Sequence, residues 1–584
     1  MVSGTVTLYQ GKQMTHPEFE ILSGEDDELI HTGRVVPLYP STAELKKIHL
    51  DSRGLRRIIK FALNHVAASI PEVLPSSVRS SNQLLSRASA LQNIHFPETM
   101  KMAREARRRL AFDELFFLEL SLALRKNQRL ERTDGIVFPR ANGLIRQLLD
   151  ELSFELTAAQ KKVLHEIRAD MKRKEQMNRL LQGDVGSGKT VVALITMLIA
   201  VQNGYQAALM APTEILAEQH FLTLKALLDT LGIEPALLLG GMRKSIREKS
   251  LAAIKSGRAQ IVVGTHALIQ ESVSFDRLGL VVIDEQHRFG VIQRAALRDK
   301  GLHPDVLVMT ATPIPRSLSM TIYGDLDVSV LDEMPPGRRP IRTERHDDRH
   351  RDRVYRFLDE QMEQGRQIYV VCPLVEQSEK LDLKAAEDMA QKLREKVYPH
   401  RTVDLLHGRL SSREKEKRMK AFAGGRTDLL VCTTVVEVGV DVSNATVMLV
   451  EHAERYGLAQ LHQLRGRVGR GQEQSYCLLM ASYPLSDEAK LRLQTLCRTN
   501  DGFEIAEVDL RMRGPGEIFG TRQHGLPELK VADLVDDVDL LRQARREAFG
   551  IVERDPQLND PQYEHLKSIL QTSYGYRMEL AEVG

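Results

Sequence analysis

Gly183-Asp184-Val185-Gly186-Ser187-Gly188-Lys189-Thr190 matches the pattern G-x-x-x-x-G-K-S/T, and its neighbours supply the setting that pattern needs. Met177 to Gln182 is a mostly apolar run suited to a buried strand, and Val191 to Val201 is a long apolar stretch suited to a helix. In a strand, glycine loop, helix arrangement, successive backbone N–H groups point inward and the helix start adds partial positive charge. The stretch reads as a cradle for a nucleoside triphosphate, formed by Gly183, Asp184, Gly186, Ser187, Gly188, Lys189 and Thr190. Lys189 would reach the outer phosphates and Thr190 would offer its hydroxyl to magnesium.

Around this loop, from Leu156 to Leu331, short apolar runs alternate with helical segments. Ala207 to Met210, Gln260 to Gly264, Leu280 to Ile283 and Val306 to Met309 read as fully buried strands. That alternation predicts a parallel sheet with helices on both faces. The stiff stretch from Met334 to Pro340 (Met-Pro-Pro-Gly-Arg-Arg-Pro) marks a domain boundary. A second alternating series follows, with Ile368 to Cys372, Val403 to Leu406, Leu429 to Cys432, Val447 to Val450 and Tyr476 to Met480 as strands. It repeats the first series without a phosphate loop, so a nucleotide is expected between two α/β lobes. The charged mixture from His346 to Arg353 reads as a solvated helix start.

The flanks differ. Thr5 to Tyr9, Phe19 to Leu22 and Leu29 to Tyr39 read as strands of a small, incomplete sheet. From Ser41 to about Leu130 the period is helical, and two or three helices should fill this connector. Its basic cluster, Lys101, Arg104, Arg107, Arg108 and Arg109, reads as a solvated helix face. From Leu485 onward the pattern is helical again, interrupted by a glycine- and arginine-rich loop from Arg511 to Gly525. The expected domains are 1–40, 41–135, 136–335, 336–484 and 485–584.

Composition narrows the class. A chain of 584 residues with 42% hydrophobic and 27% charged residues can bury several cores, and its net charge of +2 leaves any basic surface local. The longest apolar run falls short of a bilayer span, and Met1 to Gly33 lacks the build of a signal peptide, so a cytoplasmic location is expected. Cys372, Cys432, Cys477 and Cys497 form no C-x-x-C pair and read as reduced thiols.

Three further stretches carry chemistry. Asp284 and Glu285 follow a buried strand; Asp284 is assigned to magnesium and Glu285 to orienting the attacking water, while His287 senses the γ-phosphate, links to the next strand or simply packs. Thr310 and Thr312, in Thr-Ala-Thr-Pro, are placed to bond the acidic pair and change partners when phosphate leaves. In Gln463-Leu464-Arg465-Gly466-Arg467-Val468-Gly469-Arg470-Gly471, Arg467 and Arg470 are three apart and expected on one helix face, as arginine fingers reaching the transferring phosphoryl group.

In this order and on two lobes, the phosphate loop, DEQH, TATPIPRS and QLRGRVGRG resemble a superfamily two helicase core of tandem RecA-like lobes. The stretches MNRLLQGDVGSGKT, APTEILAEQH, IDEQHRFGVIQR, HGRL, TTVVEVGVDV and DGFEIAEVDLRMRGPGEIFGTRQ resemble the RecG family. The last of these is similar to a translocation motif shared with the transcription-repair coupling factor Mfd. The resemblance implies ATP, with Gln160 reading adenine and Gly439 and Asp441 linking the nucleotide to the DNA track. It implies DNA contacts at Thr213, Thr265, His266, His407, Thr433 and Thr434, beside the coupling already read at His287, Thr310 and Thr312, and duplex pushing by Arg511, Arg513, Arg522 and Gln523.

The family begins with an oligonucleotide-binding wedge, and Met1 to about Val36 resembles only its final strands. The activity so implied is ATP-dependent translocation on duplex DNA that remodels forks and Holliday junctions in repair and recombination. A monomer is expected, with single-stranded-DNA-binding protein as a partner and no membrane. The alternatives are an Mfd-like translocase, or an ATP-gated DNA-binding scaffold without productive unwinding.

Overall fold

The computed structural model describes residues 2–3, 6–8, 12–14, 18–19, 35–48, 50–132, 135–140, 143–285, 300–301, 303–310, 315, 326–373, 379–433, 442–471, 473–518 and 529–574. The chain divides into a smaller unit, Met1–Asn127 with Phe519–Val583, and a larger unit, Gln128–Ile518.

Four short strands open the chain: β1 (Val2–Ser3), β2 (Val6–Leu8), β3 (Lys12–Met14) and β4 (Glu18–Phe19). They pair antiparallel as β1 with β4 and β2 with β3. Residues 35–40 are irregular, so the expected strand from Leu29 to Tyr39 is absent over its described part. The connector holds five helices rather than two or three: α1 (Ala43–Lys47), α2 (Ser52–Val66), α3 (Ser76–Ser81), α4 (Arg87–His95) and α5 (Met100–Arg132). Capping residues subdivide it, since Thr42, Asp51 and Ser86 each accept a backbone N–H at a helix start.

The basic cluster on α5 corrects the expectation of a solvated face. Arg109 is fully buried, donating to Glu72 at 2.5 Å and Asp113 at 2.9 Å. Burial pushes the Glu72 carboxyl up, but the Arg109 guanidinium outweighs it and holds it down at about 2. Arg107 makes a two-pronged pair with Asp537, and Arg108 donates to Gln543 at 3.1 Å. Lys101 and Arg104 remain exposed. A run of like charges says nothing of the acids that meet it from more than 400 residues away.

In the larger unit, α6 (Gly143–Glu151) and α7 (Ala158–Met171) precede a seven-stranded sheet. Its members are β5 (Asn178–Gly183), β6 (Gln206–Met210), β7 (Ala236–Leu238), β8 (Ile261–Gly264), β9 (Leu278–Asp284), β10 (Asp305–Thr310) and β11 (Asp327–Leu331), with α8 (Lys189–Gln202), α9 (Glu214–Leu228) and α10 (Lys244–Lys255) between them. The order is β11-β5-β10-β9-β6-β8-β7, and every pairing is parallel.

The second sheet joins β12 (Arg342–His346), β13 (Gln367–Val371), β14 (Val403–Leu406), β15 (Leu429–Cys432), β16 (Ala445–Val450) and β17 (Tyr476–Met480). Its order is β12-β17-β16-β13-β15-β14, again all parallel. Its helices are α11 (Arg351–Glu363), α12 (Glu379–Lys392), α13 (Ser412–Ala423), α14 (Leu458–Arg465), α15 (Asp487–Arg498) and α16 (Gly502–Ile518). Then α17 (Val538–Arg554) and α18 (Glu564–Ile569) belong to the smaller unit.

Alternate residues of each strand feed separate cores on the two sheet faces, as period-two geometry requires. Leu181, Leu209, Val263, Val282 and Leu307 line one face of the first sheet; Leu180, Ala208, Val262, Val281 and Val308 line the other. The second sheet repeats this with Tyr369, Leu430 and Met448 against Ile368, Leu429 and Leu449. Burial on both faces is why these strands read as continuous apolar runs.

Three strands escape that reading. β7 is only three residues long, β11 is half-buried, and β12 is Arg-Thr-Glu-Arg-His at a sheet edge, where side chains stay wet. The expected solvated helix start after His346 is partly buried instead: Arg351 clamps the buried Glu451 through two bonds of 2.6 and 2.9 Å. α16 also runs on through Arg511, Arg513, Gly514, Pro515 and Gly516 to Ile518, where a loop was expected. Its first turns are anchored by buried Ile505 and Leu510, and it continues through Gly514-Pro515-Gly516 against the helix propensity of those residues.

Candidate active site

The parallel arrangement puts every strand's carboxyl end on one rim of its sheet. Gly183, Asp284 and Thr310 close β5, β9 and β10 on the rim of the first sheet, and Thr213 and Thr265 follow β6 and β8 on the same rim. In the second lobe His407 follows β14 and Thr433 follows β15.

The glycine loop has the conformation its residue types predict. Gly186 and Gly188 take φ of 81° and 88°, a left-handed region costly for side chains. At Gly186 an added Cβ would lie 1.7 Å from Arg338 Nη1, the mobile tip of a side chain, so the requirement for glycine there is the backbone conformation. Arg338 comes from the junction after the first sheet and donates to the Val185 carbonyl at 3.4 Å.

Lys189 begins α8, and its Nζ donates to the carbonyls of Gly183 at 2.7 Å and Asp184 at 2.8 Å. Burial lowers its pKa; Glu285, Asp284 and Asp184 act in the opposite direction, while the charge of Arg470 adds to the lowering. Lys189, three carboxylates and Arg470 of the second lobe thus share one electrostatic neighbourhood. Ser187 Oγ is buried with no hydrogen-bond partner among the described residues.

Asp284 closes β9 and is buried. Its Oδ2 lies 2.8 Å from His220 Nε2. Burial pushes its pKa up, but the His220 hydrogen bond and the charges of His220 and Lys189 overcome this and hold the carboxyl below its usual value. Glu285 follows with φ of 53°, an uncommon conformation for a non-glycine residue. Thr310, the last residue of β10, is also buried.

Gln160 is buried at the start of α7. Its Oε1 accepts from the Thr157 N–H at 2.9 Å in a capping box, and its Nε2 donates to the Ser187 carbonyl at 2.9 Å. One amide hydrogen and one lone pair remain for another partner.

Arg467 and Arg470 do not share a helix face. α14 ends at Arg465; Arg467 lies in the following turn, its N–H bonded back to the Leu464 carbonyl at 3.0 Å, and Arg470 lies in irregular chain after Gly469, whose φ is 79°. Glycines at 466 and 469 stop the helix that i, i+3 spacing assumes. Contact between the lobes is nevertheless direct: a Cβ on Gly466 would fall 2.9 Å from Val185 Cβ.

Among the other candidates, Thr213 Oγ1 caps α9 by accepting from Leu216 N–H at 3.3 Å. Thr265 Oγ1 and His407 Nδ1 are buried without hydrogen-bond partners among the described residues, and burial lowers the His407 pKa. His266 is exposed and Thr433 buried. Arg511 is exposed on α16, and Arg513 is part of the same helix. His287, Thr312, Thr434, Gly439, Asp441, Arg522 and Gln523 lie outside the described residues.

His220, His462 and Arg338 were missed in reading the sequence. His220 was findable, because seven residues beyond Thr213 is two turns along the same face of α9. His462 pairs with Asp184 at 2.5 Å across 278 residues, and no local pattern announces that.

Two RecA-like α/β lobes that meet on one phosphate loop form the motor core of an ATP-dependent helicase. Family models agree lobe by lobe: DEAD/DEAH box helicase over residues 157–321, helicase conserved C-terminal domain over 349–472, and RecG domain 3, C-terminal, over 499–579. The ATP-dependent DNA helicase RecG of Bacillus subtilis is 48% identical over 574 residues, covering 97% of this chain and 82% of that protein. The RecG of Synechocystis is 47% identical over 550 residues, covering 94% of this chain but only 65% of the relative's length. A solved structure of RecG bound to a three-way DNA junction superposes with a TM-score of 0.70 at 42% identity, covering 92% of this chain and 70% of that one. The chain belongs to the RecG family of ATP-dependent DNA helicases.

Proposed function

We propose that this chain is an ATP-driven translocase on duplex DNA that remodels branched DNA, reversing stalled forks and migrating Holliday-type junctions in repair and recombination. The observation that carries this reading is the contact of the second lobe with the phosphate loop of the first, where His462 reaches Asp184 at 2.5 Å and Gly466 lies against Val185. A nucleotide gripped there would hold the lobes together, and its loss would release them. A solved RecG relative is described as bound to a three-way DNA junction, which favours branched DNA as the substrate class.

Lys189 would exchange the Gly183 and Asp184 carbonyls for phosphate oxygens, a stronger, charge-assisted partnership. Gln160 would offer its remaining hydrogen and lone pair to adenine. Glu285 would orient the attacking water, and Arg467 and Arg470 would stabilise charge on the transferring phosphoryl group. The donor set suits magnesium: Asp284 is held ionised, and Thr190 sits one residue into α8. Among the described residues no group of three or more His, Cys, Asp or Glu converges on a metal, so the ion would rest on one carboxylate, one hydroxyl and phosphate oxygens. When bound, magnesium neutralises phosphate charge.

Thr213, Thr265, His266, His407 and Thr433, on the strand-end rims, would contact DNA phosphates and so carry little sequence preference. Among the described residues no helix is long and apolar enough to cross a membrane. A cytoplasmic monomer working with single-stranded-DNA-binding protein completes the proposal.

The test measures ATP turnover with forked, linear and single-stranded DNA, beside strand displacement on a labelled fork. Turnover stimulated most by the fork, with displacement, is expected. Equal stimulation by linear duplex without displacement would remove branched-DNA remodelling from the reading.

A further inference from the structure

The second residue of the phosphate loop is held by parts of the chain that have no place in a nucleotide cradle. Asp184 Oδ1 lies 2.5 Å from His462 Nε2 on α14, and Asp184 Oδ2 accepts the backbone N–H of Gly502 at 3.1 Å. Each carboxylate oxygen thereby meets a partner distant in sequence, across 278 and 318 residues, and Oδ1 also accepts the N–H of its neighbour Val185 at 3.3 Å.

The chemistry of each partner is defined. His462 Nδ1 lies 2.9 Å from Arg465 Nη2, which can only donate, so Nδ1 accepts and Nε2 carries the hydrogen given to Asp184. Arg465 is anchored in turn by the carbonyls of Leu496 and Thr499, at 2.9 and 2.8 Å, where α15 ends. Arg465 and His462 are 2% and 5% exposed, so water does not substitute for these bonds. Gly502 opens α16, and its N–H is one of the donors that a helix start leaves unpaired and that a carboxylate satisfies best. Burial raises the Asp184 pKa, yet His462, Lys189 and the Gly502 N–H bring it below its usual value, so the pin is an anion.

We propose that Asp184 is a mechanical pin between the phosphate loop and α16, the helix that carries Arg511 and Arg513, and that His462 is the residue positioning it. A buried carboxylate that lost His462 and Gly502 would keep only the Val185 N–H and would be destabilised, so the loop and the start of α16 move together or exchange partners as a unit. ATP-driven changes at the loop then reach α16 without passing through Arg467 or Arg470. Displacement of α16 by DNA returns to the loop by the same route, since coupling between two sites is reciprocal. The DNA arm rests on the translocase reading above; the coupling itself does not.

The experiment uses the full chain and two variants. His462→Ala removes the donor, whereas His462→Gln can present an N–H to Asp184 and an oxygen to Arg465. DNA-free ATP turnover and the KM for ATP should stay within about twofold of wild type in both. Stimulation of turnover by forked DNA should fall about tenfold in His462→Ala, and His462→Gln should recover at least half of it. Hydrogen exchange in the first turn of α16, with and without a non-hydrolysable ATP analogue, reads the pin with no DNA present. The analogue should alter exchange there in wild type and not in His462→Ala.

An unchanged exchange response in His462→Ala overturns the proposal. So does a raised KM with fork stimulation intact, which makes the contact a brace for nucleotide, or a failure of His462→Gln to recover. If wild type shows no fork stimulation at all, the translocase reading falls, and the exchange measurement still decides the pin.

Discussion

The two sheets of the larger unit share one strand order, and the chemistry at their rims is different. Laid side by side, β5-β10-β9-β6-β8-β7 and β12-β17-β16-β13-β15-β14 correspond strand for strand, with β11 added at the edge of the first. The agreement extends to single side chains. Gln206, opening β6, donates Nε2 to the carbonyls of Ile254 and Ala259; Gln367, opening β13, donates to those of Phe422 and Thr427. Each sheet also shifts register immediately after that glutamine.

The strand that ends in the phosphate loop is β5, and its counterpart is β12. After β12 comes Asp347, whose side chain accepts the Arg349 N–H at 3.1 Å and pairs with the Arg349 guanidinium at 2.6 Å. Asp347 closes that turn on the chain's own Arg349, and residues 347–353 hold none of the glycines that let the loop after β5 curl its N–H groups inward. A duplicated frame is compatible with one nucleotide site because the frame is set by buried apolar strands, and the site by a few residues at one strand end.

The sharpest way to break that comparison is at the loop itself. Lys189→Ala or Glu285→Gln should lower ATP turnover by about 10³-fold or more while leaving the melting temperature near wild type, and turnover close to wild type in either would refute the assigned site. From the second lobe, Arg467→Ala should cut kcat by about 10²- to 10³-fold with a much smaller change in KM for ATP. A change confined to ATP affinity would count against a finger.

The shared frame predicts matched losses. Gln206→Ala and Gln367→Ala each remove two donated bonds, leaving the Ala259 and Thr427 carbonyls without that partner while Ile254 and Phe422 keep the N–H groups of Gly257 and Gly425, and should cost about 1–3 kcal/mol apiece in denaturant unfolding. Markedly unequal costs would mean the two glutamines do not play the same part.

The effect read over one pH unit is the smallest, and it comes where the frames diverge, since β10 opens with Asp305 and β17 with Tyr476. Burial pushes the Asp305 carboxyl up to about 8, with the Met177 N–H bond acting against it and the charge of Asp170 adding to it. Between the ordinary carboxylate pKa and that value the folded protein holds a proton the unfolded chain has released. Its stabilising contribution is therefore complete at acid pH and is lost as pH rises through about 8. Unfolding free energy should fall by on the order of 1 kcal/mol per pH unit across that window from this group alone, and Asp305→Asn should flatten the fall. An unchanged pH profile would show that Asp305 ionises freely in the fold.

Legibility followed locality. The glycine loop, the acids closing β9 and the apolar strands were all readable, because each depends on residues within a few positions of one another. Arg467 and Arg470 were found as residues and misplaced as a helix face, since spacing alone cannot see Gly466 and Gly469 ending α14. β12 stayed invisible because an edge strand exposes its charged side chains, and the arginines of α5 looked solvated because Glu72 and Asp537 lie elsewhere in the chain.

By itself, the order of residues determined two α/β lobes, one phosphate loop and the identity of the acids and arginines beside it. Folding alone decided which of these meet: Asp184 with His462 and Gly502, Asp284 with His220, Arg338 over Gly186. The reason is physical. Backbone conformation and side-chain period respond to immediate neighbours, whereas a hydrogen bond across 278 residues exists only after two sheets have packed and excluded water around it.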